Sequence, residues 1–285
     1  MSNPQIISTG AEPLGSGTGA SGDRSGARTG HSRLQAFWRG ALLPVSILAV
    51  WQICGELGLI SPLLFPAPLT IGAAFVKLAA SGELHSNLQI SMLRALGGFV
   101  LGGGLGLLFG LAVGLFRHTE KALDPSVQML RMIPHLAVAP LFVLWFGIGE
   151  TSKVLLIAKG AFFPLYINTF IGIRNVDNKL FDVARVLGFS RFKQLIRLVL
   201  PAALPSILLG VRLSLGVAWL GLVVVEIMGS TSGIGYLMSD ARQFSKTPVV
   251  FVGIIIFAIV GKLTDSLVRW LERRLLQWRD SYQGK

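Results

Sequence analysis

Apolar residues in this chain come in long runs, and the polar residues gather between them. Six runs approach or exceed the roughly 20 residues a helix needs to cross a hydrocarbon core about 30 Å thick. They cover residues 41–60, 94–116, 125–146, 153–173, 206–228 and 249–268. The expected fold is all-α, a polytopic membrane bundle of six transmembrane helices. Gln52 and Glu56 interrupt the distal half of the first run. The connection between the first two runs is too long for a turn, and its partly amphipathic pattern predicts a short surface helix over 71–80.

Residues 1–36 are a different material. The stretch STGAEPLGSGTGASGDRSGARTGHSR is rich in Gly, Ser and Thr and has no periodic apolar residue. It reads as a disordered tail ahead of a membrane domain over 37–285. It does not fit a secretory signal peptide, because the apolar stretch starts only near Ala41.

Glycine spacing adds a packing expectation. Gly98, Gly102, Gly106, Gly110 and Gly114 recur every four residues in the second run. Residues four apart share one helix face, and glycine allows a second backbone to approach closely. The pattern predicts a helix–helix seam.

Composition supports the membrane reading: 52% of residues are hydrophobic and only 14% charged, where soluble domains carry about 25% charged residues. The net charge of +12 does not imply nucleic acid, since its distribution follows the connections between spans. Seventeen Lys and Arg residues fall on one side, among them Arg24, Arg39, Arg117, Arg174, Arg185, Arg197, Arg269 and Arg279. Only Lys77, Lys153, Arg242 and Lys246 fall on the other. Basic residues accumulate in cytoplasmic loops, which places both termini in the cytoplasm. The single cysteine, Cys54, excludes an intrachain disulfide.

The basic loop at about 175–205 is the most informative segment. Leu180, Val183, Ala184 and Leu187 follow one helical face, and Gly188 supplies a residue able to take positive φ at a helix end. Ser190 is placed to cap a second helix, in which Phe192, Leu195, Ile196 and Val199 repeat the pattern until Pro201 ends it. Arg185, Arg191, Lys193 and Arg197 occupy the other faces. Two readings stand side by side: a helix pair lying on anionic lipid, or a docking element for a cytoplasmic partner.

The residues DVARVLG, Ser190 and LVLPAALP resemble the EAA loop of ABC importer permeases. In that pattern Asp182 stands for the Glu, Ala184 for the second Ala, Gly188 for the Gly, Leu198 for the Ile and Pro201 for the final Pro. Val183 departs from the first Ala. The stretches QMLRMIPHLAVAPLFVLWFGIGETSK, FFPLYINTFIGIRNVD and SGIGYLMSDARQF are similar to the permeases of the nitrate, sulfonate and taurine branch, with the aliphatic sulfonate permeases nearest. The resemblance runs from about Pro44 to Trp278 and implies a type I ABC importer permease fold in a bacterial inner membrane. It implies that the loop is a coupling helix seated in a cytoplasmic ATPase dimer. It further implies a second permease copy, a periplasmic substrate-binding protein, and ATP and Mg held by the ATPase, with no cofactor or metal in this chain.

The energy source agrees. No stretch fits the phosphate-binding G-x-x-x-x-G-K-[ST] pattern; Gly261–Lys262 has Ile256 at the first glycine position and Leu263 after it. Catalytic clustering is also missing, since the four histidines are scattered at 31, 85, 118 and 135. An ion-coupled secondary transporter needs buried acids or histidines at depth, and the acids near the spans, Glu56, Glu150, Glu226 and Asp265, lie towards their ends. Asp265 is expected to pair with Arg269 at i+4. Candidate pathway groups are Arg131 and His135 around Pro134, Asn168 with Lys159 beside it, and Trp219 and Glu226. Each has a structural alternative: His135 as partner of a carbonyl freed by the proline, Trp219 as packing, Glu226 as partner of a basic group near the outer surface.

Overall fold

A computed structural model describes residues 29–276, with side chains for 42–276 except 135 and 136. Most of the expected tail, residues 1–28, therefore lies outside the described residues, as do residues 277–285. Helix α1 spans Thr29–Glu56. It starts earlier than the tail boundary expected at residue 36, because Leu34, Ala36 and Phe37 continue the helix-forming sequence upstream. Residues 29–51, all within α1, belong to one compact unit, and the chain from Gln52 onwards forms a second.

In the second unit the helices are α2 (Pro68–Ala80), α3 (Glu83–Leu115), α4 (Arg117–Arg131), α5 (His135–Phe146) and α6 (Glu150–Arg174). They continue as α7 (Asn178–Val186), α8 (Arg191–Gln194), α9 (Leu200–Gly229), α10 (Ile234–Gln243) and α11 (Thr247–Leu275). Helix α2 covers the surface helix expected at 71–80. Four expected spans are long continuous apolar helices: α3, α6, the α8–α9 run from Arg191 to Gly229, and α11.

The third expected span, 125–146, is two helices. α4 ends at Arg131 and α5 starts at His135. Pro134 between them is extended, with ψ 142°; its ring removes an N–H and disfavours helical geometry in Ile133. Lys159 Nζ donates to the Ile133 carbonyl at 2.8 Å, giving the broken end a partner.

The core is built around α6. Along one side it packs parallel to α3 through the glycine seam: a Cβ on Gly102 would lie 1.9 Å from the Ala158 carbonyl oxygen, and one on Gly106 would lie 2.4 Å from that of Phe162. Gly98 faces Ile157, Gly110 faces Thr169 and Gly114 faces Ile173, so all five glycines sit on one interface. Along its other side α6 packs antiparallel to α9, where Gly210 meets Asn168 and Leu165, Gly172 meets Ser206, and Ser214 Oγ donates to the Ala161 carbonyl. Tyr166, fully buried, donates from its hydroxyl to Asp124 Oδ1 of α4 at 2.7 Å. An ion pair between Arg174 and Glu120 ties the same two helices.

Proline does not end the second loop helix as the sequence suggested. The helical path continues from Arg191 to Gly229 through Pro201 and Pro205, by way of a π-helical turn at Leu195–Val199. There the Leu200 N–H reaches back five residues to the Leu195 carbonyl. One extra residue in the turn separates the Pro201 ring from the carbonyl it would strike in a regular helix.

Candidate functional site

Two regions collect the chemistry-bearing residues: the α7–α8 hairpin, and a cavity beside the α4–α5 break. A third cluster, buried at the opposite end of the bundle from the hairpin, holds residues whose association was not expected.

In the hairpin, the Asp177 side chain accepts from Lys179 N at 2.9 Å and starts α7. Gly188 has φ +65°, and Phe189 N donates to the Ala184 carbonyl at 2.9 Å, closing the helix end through a left-handed residue. The Ser190 side chain accepts from Lys193 N at the start of α8. Gln194 Nε2 donates to the Phe189 carbonyl at 3.0 Å, and Lys193 Nζ lies 4.2 Å from the Phe189 ring centroid. These bonds make the bend stiff without help from another chain.

The expected apolar face divides. Ala184 is buried, and with Phe181, Leu195, Leu198 and Val199 it turns towards this chain. Leu180, Val183 and Leu187 are exposed instead, as are Val186, Phe192 and Ile196. Asp182 pairs with Arg185 at 3.5 Å on the exposed side. The tip thus offers a fixed apolar surface edged by charge.

At the α4–α5 break, Arg131 and Asn168 line a cavity of about 460 Å³ together with Lys159, Phe163, Leu213 and Val217. Asn168 Nδ2 donates to the Pro164 carbonyl at 2.8 Å. His135 opens α5 but its side chain lies outside the described residues. Trp219 does not line this cavity: it stacks obliquely on Phe257, with ring centroids 5.0 Å apart, and donates to the Phe257 carbonyl at 3.0 Å. It packs α9 on α11.

Glu226 is not at the cavity either, and its basic partner is Arg94 of α3, within the bundle. It accepts from Arg94 Nη1 at 2.9 Å, from Ser91 Oγ at 2.8 Å and from Gly235 N at 2.8 Å. Arg94 uses its whole guanidinium: Nε and Nη2 donate to the two oxygens of Glu150 at 2.6 Å, Nη1 also to the Ser232 carbonyl at 2.6 Å, and Nη2 also to Ser232 Oγ at 3.1 Å. Five donors meet five acceptors, the condition under which a buried charge is tolerated. Asn87 Oδ1 accepts from Gly233 N and Ser91 Oγ from Ile234 N, so α3 holds the start of α10 directly. Arg94, an arginine within the second apolar run, is 3% exposed. The signal was faint: an Arg inside one apolar run, an acid near the end of another and an acid between two runs. Asp265 pairs with Arg269 as expected and also with Arg212 of α9.

The family described as binding-protein-dependent transport system inner membrane component matches residues 102–277. A Bacillus subtilis (strain 168) protein bearing the name aliphatic sulfonates transport permease protein SsuC is 63% identical over 246 residues, covering 86% of this chain and 89% of that protein. Its namesake in Escherichia coli (strain K12) is 51% identical, covering 85% and 92%. The taurine transport system permease protein TauC of the same strain is 37% identical, covering 83% and 88%. Among solved structures, an amino acid ABC transporter with histidines aligns with TM-score 0.57 and 17% identity, over 70% of this chain and 97% of that one. The MetNI methionine ABC transporter in an inward-facing form aligns with TM-score 0.56 and 16% identity, over 66% and 96%. These likenesses establish the fold.

Proposed function

The chain belongs to the inner membrane components of binding-protein-dependent transport systems, and from that premise we propose that it is the permease subunit of an ATP-driven importer of aliphatic sulfonates. ATP and Mg bind in a separate cytoplasmic ATPase dimer, and a periplasmic binding protein delivers the cargo. Two copies of this chain form the pore, with both termini and the α7–α8 hairpin on the cytoplasmic side, where the basic residues collect.

The observation that carries the coupling role is the exposed apolar tip of a hairpin whose backbone is already fixed by its own bonds. Val186 is 88% exposed and Phe192 72%, on a loop that also bears Asp182, Arg185, Arg191 and Lys193. A rigid apolar knob with a charged rim suits a groove in a partner protein, since an interface core excludes charge and its rim retains it. Asp182, Ala184, Gly188, Ser190, Leu198 and Pro201 then have distinct roles: Asp182 at the contact, Ala184 and Leu198 against the bundle, Gly188 and Ser190 in setting the bend, and Pro201 in the helix that leads from the π turn into the bundle. ATP-driven closure of the ATPase pulls the two hairpins together, and the continuous helix from Arg191 to Gly229 carries that movement through the bundle.

Sulfonate as cargo is supported by the 63% and 51% identities to the SsuC proteins, against 37% to TauC. The cavity holding Arg131 and Asn168 is the segment of the path contributed by this chain. Growth on an alkanesulfonate as sole sulfur source, with and without this chain, tests the cargo. Loss of growth on deletion and rescue by the intact gene are expected; equal growth without it refutes the reading.

A further inference from the structure

The cavity beside the α4–α5 break carries two cations and, among its described lining residues, no acid. Lys159 is the tenth residue of a 25-residue helix, so its backbone is about 14 Å from the helix start, within a span of hydrocarbon length. Charges at such depth are costly unless partnered or facing water. Yet the Lys159 ammonium spends one of its three donors, on the Ile133 carbonyl. Arg131, exposed into the same space, has no hydrogen-bond or ion-pair partner among the described residues. By contrast, the two cations buried in the Arg94 cluster, Arg94 and Lys153, are both paired with carboxylates. The remaining lining includes Phe163, one helical turn from Lys159 on α6, and Leu213 and Val217 of α9.

The geometry points to a binding subsite for an alkanesulfonate within the permease, an inference that rests on the importer reading above. Lys159 and Arg131 hold the headgroup, while Phe163, Leu213 and Val217 contact the alkyl chain. A sulfonate presents three acceptor oxygens and one negative charge. The two free ammonium donors and the empty guanidinium fork supply charge-assisted bonds to those oxygens. Asn168 also lines the cavity, with its Nδ2 donating to the Pro164 carbonyl. The lining also gives the subsite a preference: an aminoalkylsulfonate such as taurine would bring its ammonium into a space that already holds two cations and, among the described lining residues, no carboxylate. Selection between alkyl and aminoalkyl sulfonates is thereby repeated inside the membrane.

The test is equilibrium dialysis of radiolabelled butanesulfonate against the complete permease–ATPase complex in lipid nanodiscs, without binding protein. Lys159→Gln and Arg131→Gln should each weaken binding about tenfold or more, the effect of losing one charge-assisted bond. Lys159→Arg, which keeps charge and the reach to Ile133, should stay within about threefold of wild type. Leu213→Trp should weaken octanesulfonate more than ethanesulfonate by filling the tail side, and taurine should compete poorly with butanesulfonate on the unaltered complex. Unchanged affinity in Lys159→Gln, or an unchanged octane-to-ethane ratio in Leu213→Trp, overturns the subsite. If the unaltered complex binds no sulfonate while reconstituted uptake is normal, the subsite alone fails. If there is neither binding nor uptake, the sulfonate cargo fails with it.

Discussion

Replacing Glu226 by alanine should destabilise the bundle more than any other single change to a side chain near the α10 end. Its carboxylate accepts bonds from Arg94, Ser91 and the Gly235 N–H, at a residue 1% exposed. Without it, Arg94 keeps only Glu150 as a counter-charge, and the Glu150 side chain is 60% exposed. Removing one partner of a buried ion pair costs about 3–5 kcal/mol, and a stranded buried amide costs about 1–3 kcal/mol. The two losses share one cavity and do not simply add, so a net loss of about 4 kcal/mol is expected. That corresponds to roughly a thousandfold change in the folded-to-unfolded ratio. The assay is reversible unfolding of the purified chain in mixed micelles, followed by tryptophan fluorescence, with a double-mutant cycle through Arg94→Met. Because replacing a whole buried pair by apolar groups is often close to neutral, the double variant should be more stable than the sum of the two single losses. A loss below about 1 kcal/mol for Glu226→Ala, or strict additivity in the cycle, would refute the view of a sealed and mutually dependent cluster.

Gly106→Leu should prevent recovery of a monodisperse chain from membranes, because its Cβ meets the Phe162 carbonyl at 2.4 Å, whereas Gly104→Leu, with open space around it, should be recovered normally on size-exclusion chromatography. Gly188→Val forces a β-branched residue to φ +65° at a cost of about 1–2 kcal/mol; the spans should still insert, and co-purification of the ATPase should fall. Trp219→Phe removes the bond to the Phe257 carbonyl and should lower the unfolding midpoint by an amount equivalent to about 1 kcal/mol, with uptake retained. A large loss of uptake at unchanged stability would return Trp219 to the pathway.

What the residue order determined by itself was everything with a short period. Apolar runs marked α3, α6, α9 and α11, since hydrocarbon imposes one length on any helix that crosses it. The four-residue glycine spacing located the face of α3 that meets α6. Gly188 and Ser190 marked the hairpin bend, because a left-handed residue and a side-chain cap are local requirements of the backbone. At Pro134 the apolar run suggested one span where the chain breaks into two helices, and at Pro201 the proline suggested a stop where a π turn carries the helix on. Whether a proline breaks a helix or bends through it depends on how neighbouring helices satisfy the freed carbonyls, as Lys159 does for Ile133. Only the tertiary structure joined Arg94 to Glu226 across 132 residues, or set Arg131 and Lys159 on one cavity. A charge inside an apolar run declares that it needs a partner; which partner it finds is decided by the order in which the helices stack, and no local pattern encodes that order.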